Sequence, residues 1–281
     1  MARVRSLLGT VPFFGYVTIF LVVPTLVVVI GAFTGDGGFT MANLSALGDQ
    51  YILAAFGRSI LLSALTAAIG AVLGALLAYA LVTARPGGVL RRVVTAASGV
   101  LAQFGGVTLA FAFLATIGLS GFVTLFLRDH LGIDIYAGGV WLFELPGLAL
   151  VYTYFQIPLM VIVFLPALDG IRPQWREAAE SLGGTTWQYW TRVAGPLLAP
   201  AFLGSTLLLF ANSFSAYATA AALVSQGSPI IPLQIRGALT SEVVLGQQNL
   251  GKAMALGMVV VVAVVMGLYS LLERRTAKWL A

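Results

Sequence analysis

Few residues in this chain could do chemistry. There is no cysteine and a single histidine, His130, so thiol catalysis, disulfides, zinc–thiolate sites and multi-histidine metal centres are excluded. The one Gly-Lys pair, Gly251–Lys252, is followed by Ala253 and lacks the glycine-rich spacing that cradles phosphates, so the chain carries no loop of the ATP-binding kind. Two groups of polar residues remain. One is the stretch EAAESLGGTTWQYWTRVAGP, Glu177–Pro196, which sets charges, aromatic rings and a Gly-Gly pair into an otherwise apolar chain. The other is a scatter of polar side chains within apolar runs. Asn212, Ser213, Ser215 and Tyr217 lie in LLLFANSFSAYATAAAL, Gln156 stands two residues before Pro158, and Gln103 precedes Gly105 and Gly106. Polar groups at membrane depth are costly, and they serve either helix–helix hydrogen bonding or function. Any one of these residues alone fits hydrogen bonding. The density of the fifth-run cluster exceeds what packing requires, and Gln156, Asn212, Ser213, Ser215 and Tyr217 are candidates to line a polar path through the membrane.

The elements that must position these residues follow from composition. Of 281 residues 59% are hydrophobic and 9% charged, with mean hydropathy +0.99. A soluble domain carries about 25% charged residues, so an integral membrane protein is implied. The net charge of +5 comes without a dense basic run, and no nucleic-acid partner is implied. About 20 apolar residues cross the hydrocarbon core as a helix. Six runs qualify: about Val11–Phe33, Ile60–Thr83, Val93–Ile117, Pro146–Leu168, Leu197–Val224 and Ala253–Leu272. The first is too long for a signal core and reads as a retained membrane helix. With the N-terminus inside, the inner segments hold Arg3, Arg5, Arg85, Arg91, Arg92, Arg172, Arg176, Arg192, Arg274, Arg275 and Lys278, and the outer ones only Arg58, Arg128, Arg236 and Lys252. The positive-inside rule therefore places both termini, and Glu177–Pro196, in the cytoplasm. The expected fold is all-α and polytopic, a single transmembrane domain over 1–281.

Three outer segments, Gly35–Arg58, Leu119–Gly139 and Ser225–Gly251, exceed bare turns. The first two suit short surface helices, and Pro229 and Pro232 break any long helix in the third. Gly70 and Gly74 form a GxxxG pattern that reads as helix packing. Pro24 and Pro158 read as kinks, and His130 as a solvated loop residue.

Within the polar stretch, Pro173 suits a first helical turn. Trp175, Ala179 and Leu182 share one helical face, with Glu177 and Glu180 on flanking faces. Gly183 and Gly184 end that helix. Thr185 or Thr186 caps a second helix over Trp187–Val193, and Pro196 marks the start of the fifth span. A plain topogenic loop requires only the arginines. An aromatic and apolar face on a short exposed helix signals a protein partner.

The stretch resembles the EAA loop of membrane permeases in ATP-binding-cassette importers, whose pattern is Glu-Ala-Ala, three residues, Gly, nine residues, then Ile-x-Leu-Pro. Glu177, Ala178, Ala179, Gly183 and Pro196 fall at the family positions; Val193 replaces Ile and Gly195 replaces Leu. The six-helix plan and the place of the loop before the fifth helix agree. The resemblance covers the chain roughly from the second helix to the sixth. It implies that the hairpin fits a groove on a separate ATPase subunit, with Glu177 meeting a basic residue, Ala178 and Ala179 allowing close approach and Gly183 turning the chain. Glu180, Leu182, Trp190 and Pro196 belong to the same coupling surface. It further implies a bacterial cytoplasmic-membrane importer: an ATPase dimer, a second permease subunit (a heterodimer is favoured), an extracytoplasmic substrate-binding protein, surrounding lipid, and no cofactor or catalysis in this chain.

Leu182–Gly183, where many sugar permeases have Asp-Gly, together with YFQIPLM and FANSFSAYATA, is closer to the permeases for polyamines, aminoethylphosphonate, ferric iron or thiamine. The fifth helix lacks the acidic residues of some polyamine permeases. A sugar-type permease is the alternative within the family. A secondary transporter or channel would want ionisable groups inside its helices, and a membrane enzyme would want a catalytic pair; the sequence offers neither.

Overall fold

The computed structural model describes residues 11–35, 37–84, 88–224, 230–240 and 247–277, with side chains as far as Leu271. Arg3, Arg5, Arg85, Pro229 and Lys278 lie outside the described residues, as do the side chains of Arg274 and Arg275. Among the described residues six helices are long and apolar enough to cross a membrane: Val11–Ala32, Gln50–Thr83, Gly106–Leu131, Leu145–Asp169, Thr186–Ser215 and Gln248–Leu271. The one described strand pair is Thr34–Gly35 against Gly38–Phe39.

Three of the expected runs are redrawn. The second span begins at Gln50, ten residues before the expected Ile60. The expected third run, Val93–Ile117, is two helices, Val89–Gln103 and Gly106–Ile117. They are parted at Phe104–Gly105, where Gly106 takes a left-handed φ of +71°. The spanning segment therefore starts at Gly106 and runs on to Leu131, taking in the surface helix expected after Leu119. The fifth run, Leu197–Val224, ends early: helix Gly195–Ser215 breaks at Ala216–Tyr217 before a short helix, Ala218–Leu223. Pro232 does not interrupt a helix but stands in the first turn of Ile231–Thr240, where its missing N–H costs nothing. His130 lies on the helix Phe122–Leu131, exposed and stacked on Phe126 at 4.7 Å.

Two π-turns stand just before prolines, whereas Pro158, Pro166 and Pro200 are carried inside α-helices without one. Thr18–Val22 precedes Pro24, and Trp190–Ala194 precedes Pro196, each proline standing two residues past the turn. Proline removes an N–H, and its ring collides with the carbonyl four residues back. One extra residue in the preceding turn relieves that collision without ending the helix.

The chain divides into two compact units. One takes the chain up to Gly57 with Ile230–Ala263; the other takes Arg58–Pro229 with Val264 onward. In the first, Ile52, Ala55, Ile231, Ala238 and Met254 form a buried cluster. Glycines let its helices close: a Cβ on Gly257 would sit 2.8 Å from the Phe56 ring, and the stem of Lys252 lies over Gly31. Lys252 Nζ donates to Asn249 Oδ1 at 3.0 Å.

The core of the second unit is the fourth span, with Leu148, Val151, Tyr152, Met160 and Val161 fully buried. The second span crosses it through Gly70 and Gly74: a Cβ on Gly70 would lie 2.5 Å from Gln156 Cβ, and one on Gly74 2.5 Å from Met160 Cβ. This is the small-residue approach expected of the GxxxG pattern. At the hairpin end, Arg91 Nη2 and Asp169 Oδ2 pair at 2.5 Å, tying the helix Val89–Gln103 to the end of the fourth span.

Candidate functional site

The hairpin between the fourth and fifth spans is built from strong local signals. Pro173 opens the helix Pro173–Ser181. Gly183, at φ +76°, takes the left-handed conformation that turns the chain, and Gly184 N–H returns to Ala179 O at 2.9 Å. Of the two candidate caps, Thr185 is used. Its hydroxyl accepts from Gln188 N–H at 3.3 Å, and its own N–H donates to Gln188 Oε1 at 2.8 Å, a reciprocal capping box. The expected separate helix Trp187–Val193 is instead the first part of the fifth span. Helix Thr186–Tyr189 passes through the π-turn into Gly195–Ser215 without a break. The elbow is thus a joint between one free helix and one rooted in the bundle.

An open groove of about 540 Å³ lies inside the elbow, lined by Trp175, Ala178, Ala179, Leu182, Gly183, Gln188, Tyr189 and Arg192. Leu182 is 89% exposed and Trp187 76%, an apolar display with no partner in this chain among the described residues. The two carboxylates differ. Arg176 Nε holds Glu180 Oε1 at 2.9 Å, whereas Glu177 is exposed and has no ion pair among the described residues. Hydrogen bond and charge from Glu180 push the Arg176 guanidinium further toward its charged form. Trp190 is placed apart from the outer surface expected for it. Its ring meets Tyr79 edge-on at 5.4 Å, in contact with the second span, because the helix that carries it is already part of the bundle. Pro196 is half-buried just beyond the π-turn.

The transmembrane polar residues separate into two classes. Gln156 is fully buried, and its Nε2 donates to Leu209 O at 3.0 Å. Ser213 is buried, with its hydroxyl 3.0 Å from Thr66 Oγ1. In this structure both act between helices of the one chain and line no open path, contrary to the expectation for them. Asn212 and Ser215 face outward on the fifth span and Tyr217 is half-buried. Ser215 Oγ donates to Ala211 O at 2.8 Å.

The break beside them is a built feature. Tyr152, fully buried, donates its hydroxyl to Ala216 O at 2.5 Å, satisfying a carbonyl that the interrupted helix leaves unpaired. The other interruption lies alongside: a Cβ on Gly106 would stand 3.6 Å from Ala218 Cβ. Asn212, Ser215 and Tyr217 thus border the second of two apposed helix interruptions. Sequence reading missed Tyr152, which sits in an apolar run without a periodic cue. It also missed the first interruption, although the Gly105-Gly106 doublet signals one.

This fold has known counterparts. The chain superposes on a subunit of a bacterial ABC transporter involved in the import of the acidic polysaccharide alginate, with TM-score 0.79 over 98% of this chain and 96% of that one at 19% identity. It superposes less closely on a chain of an inward-facing methionine ABC transporter, with TM-score 0.54 over 78% and 93% at 17% identity. In sequence it is 28% identical over 202 residues to a putative ferric transport system permease protein of Haemophilus influenzae, covering 70% of this chain and 30% of that protein. It is 34% identical over 84 residues to a sulfate transport system permease protein of Escherichia coli, covering 30% of this chain and 29% of that one. The chain thus spans about a third of the length of these relatives. The family model for the binding-protein-dependent transport system inner membrane component matches residues 70–278, which takes in the hairpin and both interruptions, and the chain belongs to that family.

Proposed function

We propose that this chain is the transmembrane permease subunit of an ATP-binding-cassette importer, lying in the bacterial cytoplasmic membrane with both termini and the hairpin inside. It forms half of the translocation path and is driven by a separate ATPase docked on the hairpin. The observation that carries this reading is the hairpin itself: a helix with an exposed Glu177 and a bare apolar face at Leu182, joined through Gly183 to a helix continuous with the fifth span. A force on the free helix is delivered along a rigid rod into the bundle, the geometry hinge-type coupling requires. Ala178 and Ala179 keep the approach close, and Gln188 and Arg192 border the groove a partner would fill.

The test is co-purification with candidate ATPase and substrate-binding protein subunits, followed by uptake in vesicles. Glu177→Arg is expected to lower ATPase recovery at least tenfold, on the scale of about 1.4 kcal/mol per factor of ten, and to abolish uptake while the permease stays in the membrane. Undiminished uptake and recovery would sink the coupling role. Recovery of a second, different permease chain would support the heterodimer, and self-association alone would replace it.

Asn212, Ser215 and Tyr217 are proposed to face substrate. A small polar solute is the proposed cargo. Relatives with ferric, sulfate and molybdenum transport in their names support a small charged species. The fifth span, Thr186–Ser215, carries no acidic residue, which disfavours a polyamine held by this chain alone. Joint Asn212→Ala and Ser215→Ala replacement is expected to cut uptake severalfold with ATPase docking unchanged. Unaltered uptake would remove these residues from the path.

A further inference from the structure

The second and fourth spans hold the last turns of the fifth at three points. Gln156 Nε2 donates to Leu209 O at 3.0 Å, the Ser213 hydroxyl lies 3.0 Å from Thr66 Oγ1, and the Tyr152 hydroxyl donates to Ala216 O at 2.5 Å. Leu209, Ser213 and Ala216 are spaced i, i+4 and i+7, so the three contacts follow one face of the fifth span.

The third contact differs in kind. Leu209 and Ser213 stand inside the helix Gly195–Ser215, whereas Ala216 is extended, with φ −70° and ψ 105°. In an uninterrupted helix the Ala216 carbonyl would accept from the N–H of Ala220, four residues on. Here the Tyr152 hydroxyl is its donor, and the ladder resumes with Ala221 N–H on Tyr217 O at 2.9 Å. At membrane depth a carbonyl must find its donor within the protein. Tyr152 and Ala220 therefore compete for one oxygen: the first keeps the span interrupted, and the second would close it.

The interruption decides where Tyr217 stands. A continuous helix would set Tyr217 about 200° round the axis from Ser215 and about 140° from Asn212, away from both. Interrupted, the chain instead lays the short helix Ala218–Leu223 against Gly106–Ile117, with Thr219, Ala220 and Leu223 buried.

We propose that Tyr152 is a positioning residue for the translocation path. By holding the Ala216 carbonyl, its hydroxyl stops the fifth span from winding on past Ser215 and keeps Tyr217 on the side of Asn212 and Ser215. The proposal rests on the reading of those three residues as facing substrate, and Tyr152 itself, fully buried, touches none.

The chain has no cysteine, so a single introduced thiol reports on its own position. The test is the rate at which a charged, membrane-impermeant methanethiosulfonate labels Asn212→Cys and Tyr217→Cys in membrane vesicles holding the full-length chain. Both are expected to react when Tyr152 is present. Tyr152→Phe keeps the ring that packs on Phe155 at 5.4 Å and removes one oxygen. It should slow labelling of Tyr217→Cys at least fivefold and leave Asn212→Cys within twofold, since Gln156 and Ser213 still hold the turns before the break. General loosening of the bundle would speed both. Ala216→Gly added to Tyr152→Phe should bring Tyr217→Cys back to within twofold of its original rate, because glycine disfavours continuation of the helix. Unchanged or faster labelling of Tyr217→Cys in Tyr152→Phe, or no recovery with Ala216→Gly, would overturn the proposal and leave the path reading standing. Labelling at Asn212→Cys alone, with Tyr152 present, would also overturn it. Labelling at neither position would remove the path reading, and the proposal with it.

Discussion

Gly74→Leu is expected to lower the yield of folded protein in the membrane severalfold. A Cβ at Gly74 would lie 2.5 Å from Met160 Cβ and 2.6 Å from the Ile157 carbonyl oxygen. The first contact could be relieved by a side-chain shift, but the second is with backbone inside a fully formed helix. Overpacking a core costs about 1–3 kcal/mol and occasionally more. Backbone as the obstacle places this substitution at the top of that range, a large share of a total stability of about 5–15 kcal/mol. The damage would spread, because the same crossing brings Gly70 against Gln156, whose side chain links the fourth span to Leu209 of the fifth. Gly74→Ala should fall in between, with reduced yield and a lowered melting temperature. Gly99→Leu, at a position where a Cβ meets nothing within 4 Å, serves as the control. Monodisperse yield and thermal unfolding in detergent are the readouts. Wild-type values for Gly74→Leu would refute the close crossing.

That crossing was legible from sequence because GxxxG states a distance: two small residues one turn apart allow backbones to meet. The elbow was legible for a similar reason. Gly183, Thr185 and Pro173 each have a conformational preference that acts locally, and the chain adopts all three. What resisted reading depends on tertiary context. Hydropathy along Val93–Ile117 is continuous, yet the backbone breaks at Phe104–Gly105, because apolar composition reports the solvent and not the dihedral angles. Gln156, Ser213 and Asn212 are all polar residues in apolar helices. Two face neighbouring helices and one faces outward, a difference of rotation about the helix axis that an apolar-all-round sequence does not encode. Trp190 was misplaced for a related reason. Its helix was expected to stop before the membrane, and a π-turn carries it through instead.

That π-turn makes a sharp case of Gly195. The family pattern has leucine there, so Gly195→Leu would move this chain toward its relatives, and on sequence resemblance alone it should be harmless or beneficial. The structure predicts the opposite. Gly195 N–H donates to Trp190 O, five residues back, and a Cβ at Gly195 would lie 2.5 Å from that same oxygen. The wide turn that accommodates Pro196 presses its carbonyl onto the one residue that has no side chain to collide with it. Leucine would force the turn to reopen, at a cost of about 1–3 kcal/mol, or shift the register by one residue. A one-residue shift rotates everything N-terminal to it by about 100° about the helix axis. That would carry Trp190 off Tyr79 and the elbow out of line with the fifth span. Uptake by Gly195→Leu is therefore expected to fall at least tenfold, with membrane insertion largely kept and ATPase recovery reduced less than uptake, since the free helix Pro173–Ser181 is untouched. Adding Pro196→Ala to Gly195→Leu should recover much of the loss, because without proline the widened turn is no longer required. Full uptake by the single variant, or no recovery in the double, would show that proline does not impose the π-turn and that Gly195 is a neutral departure from the family.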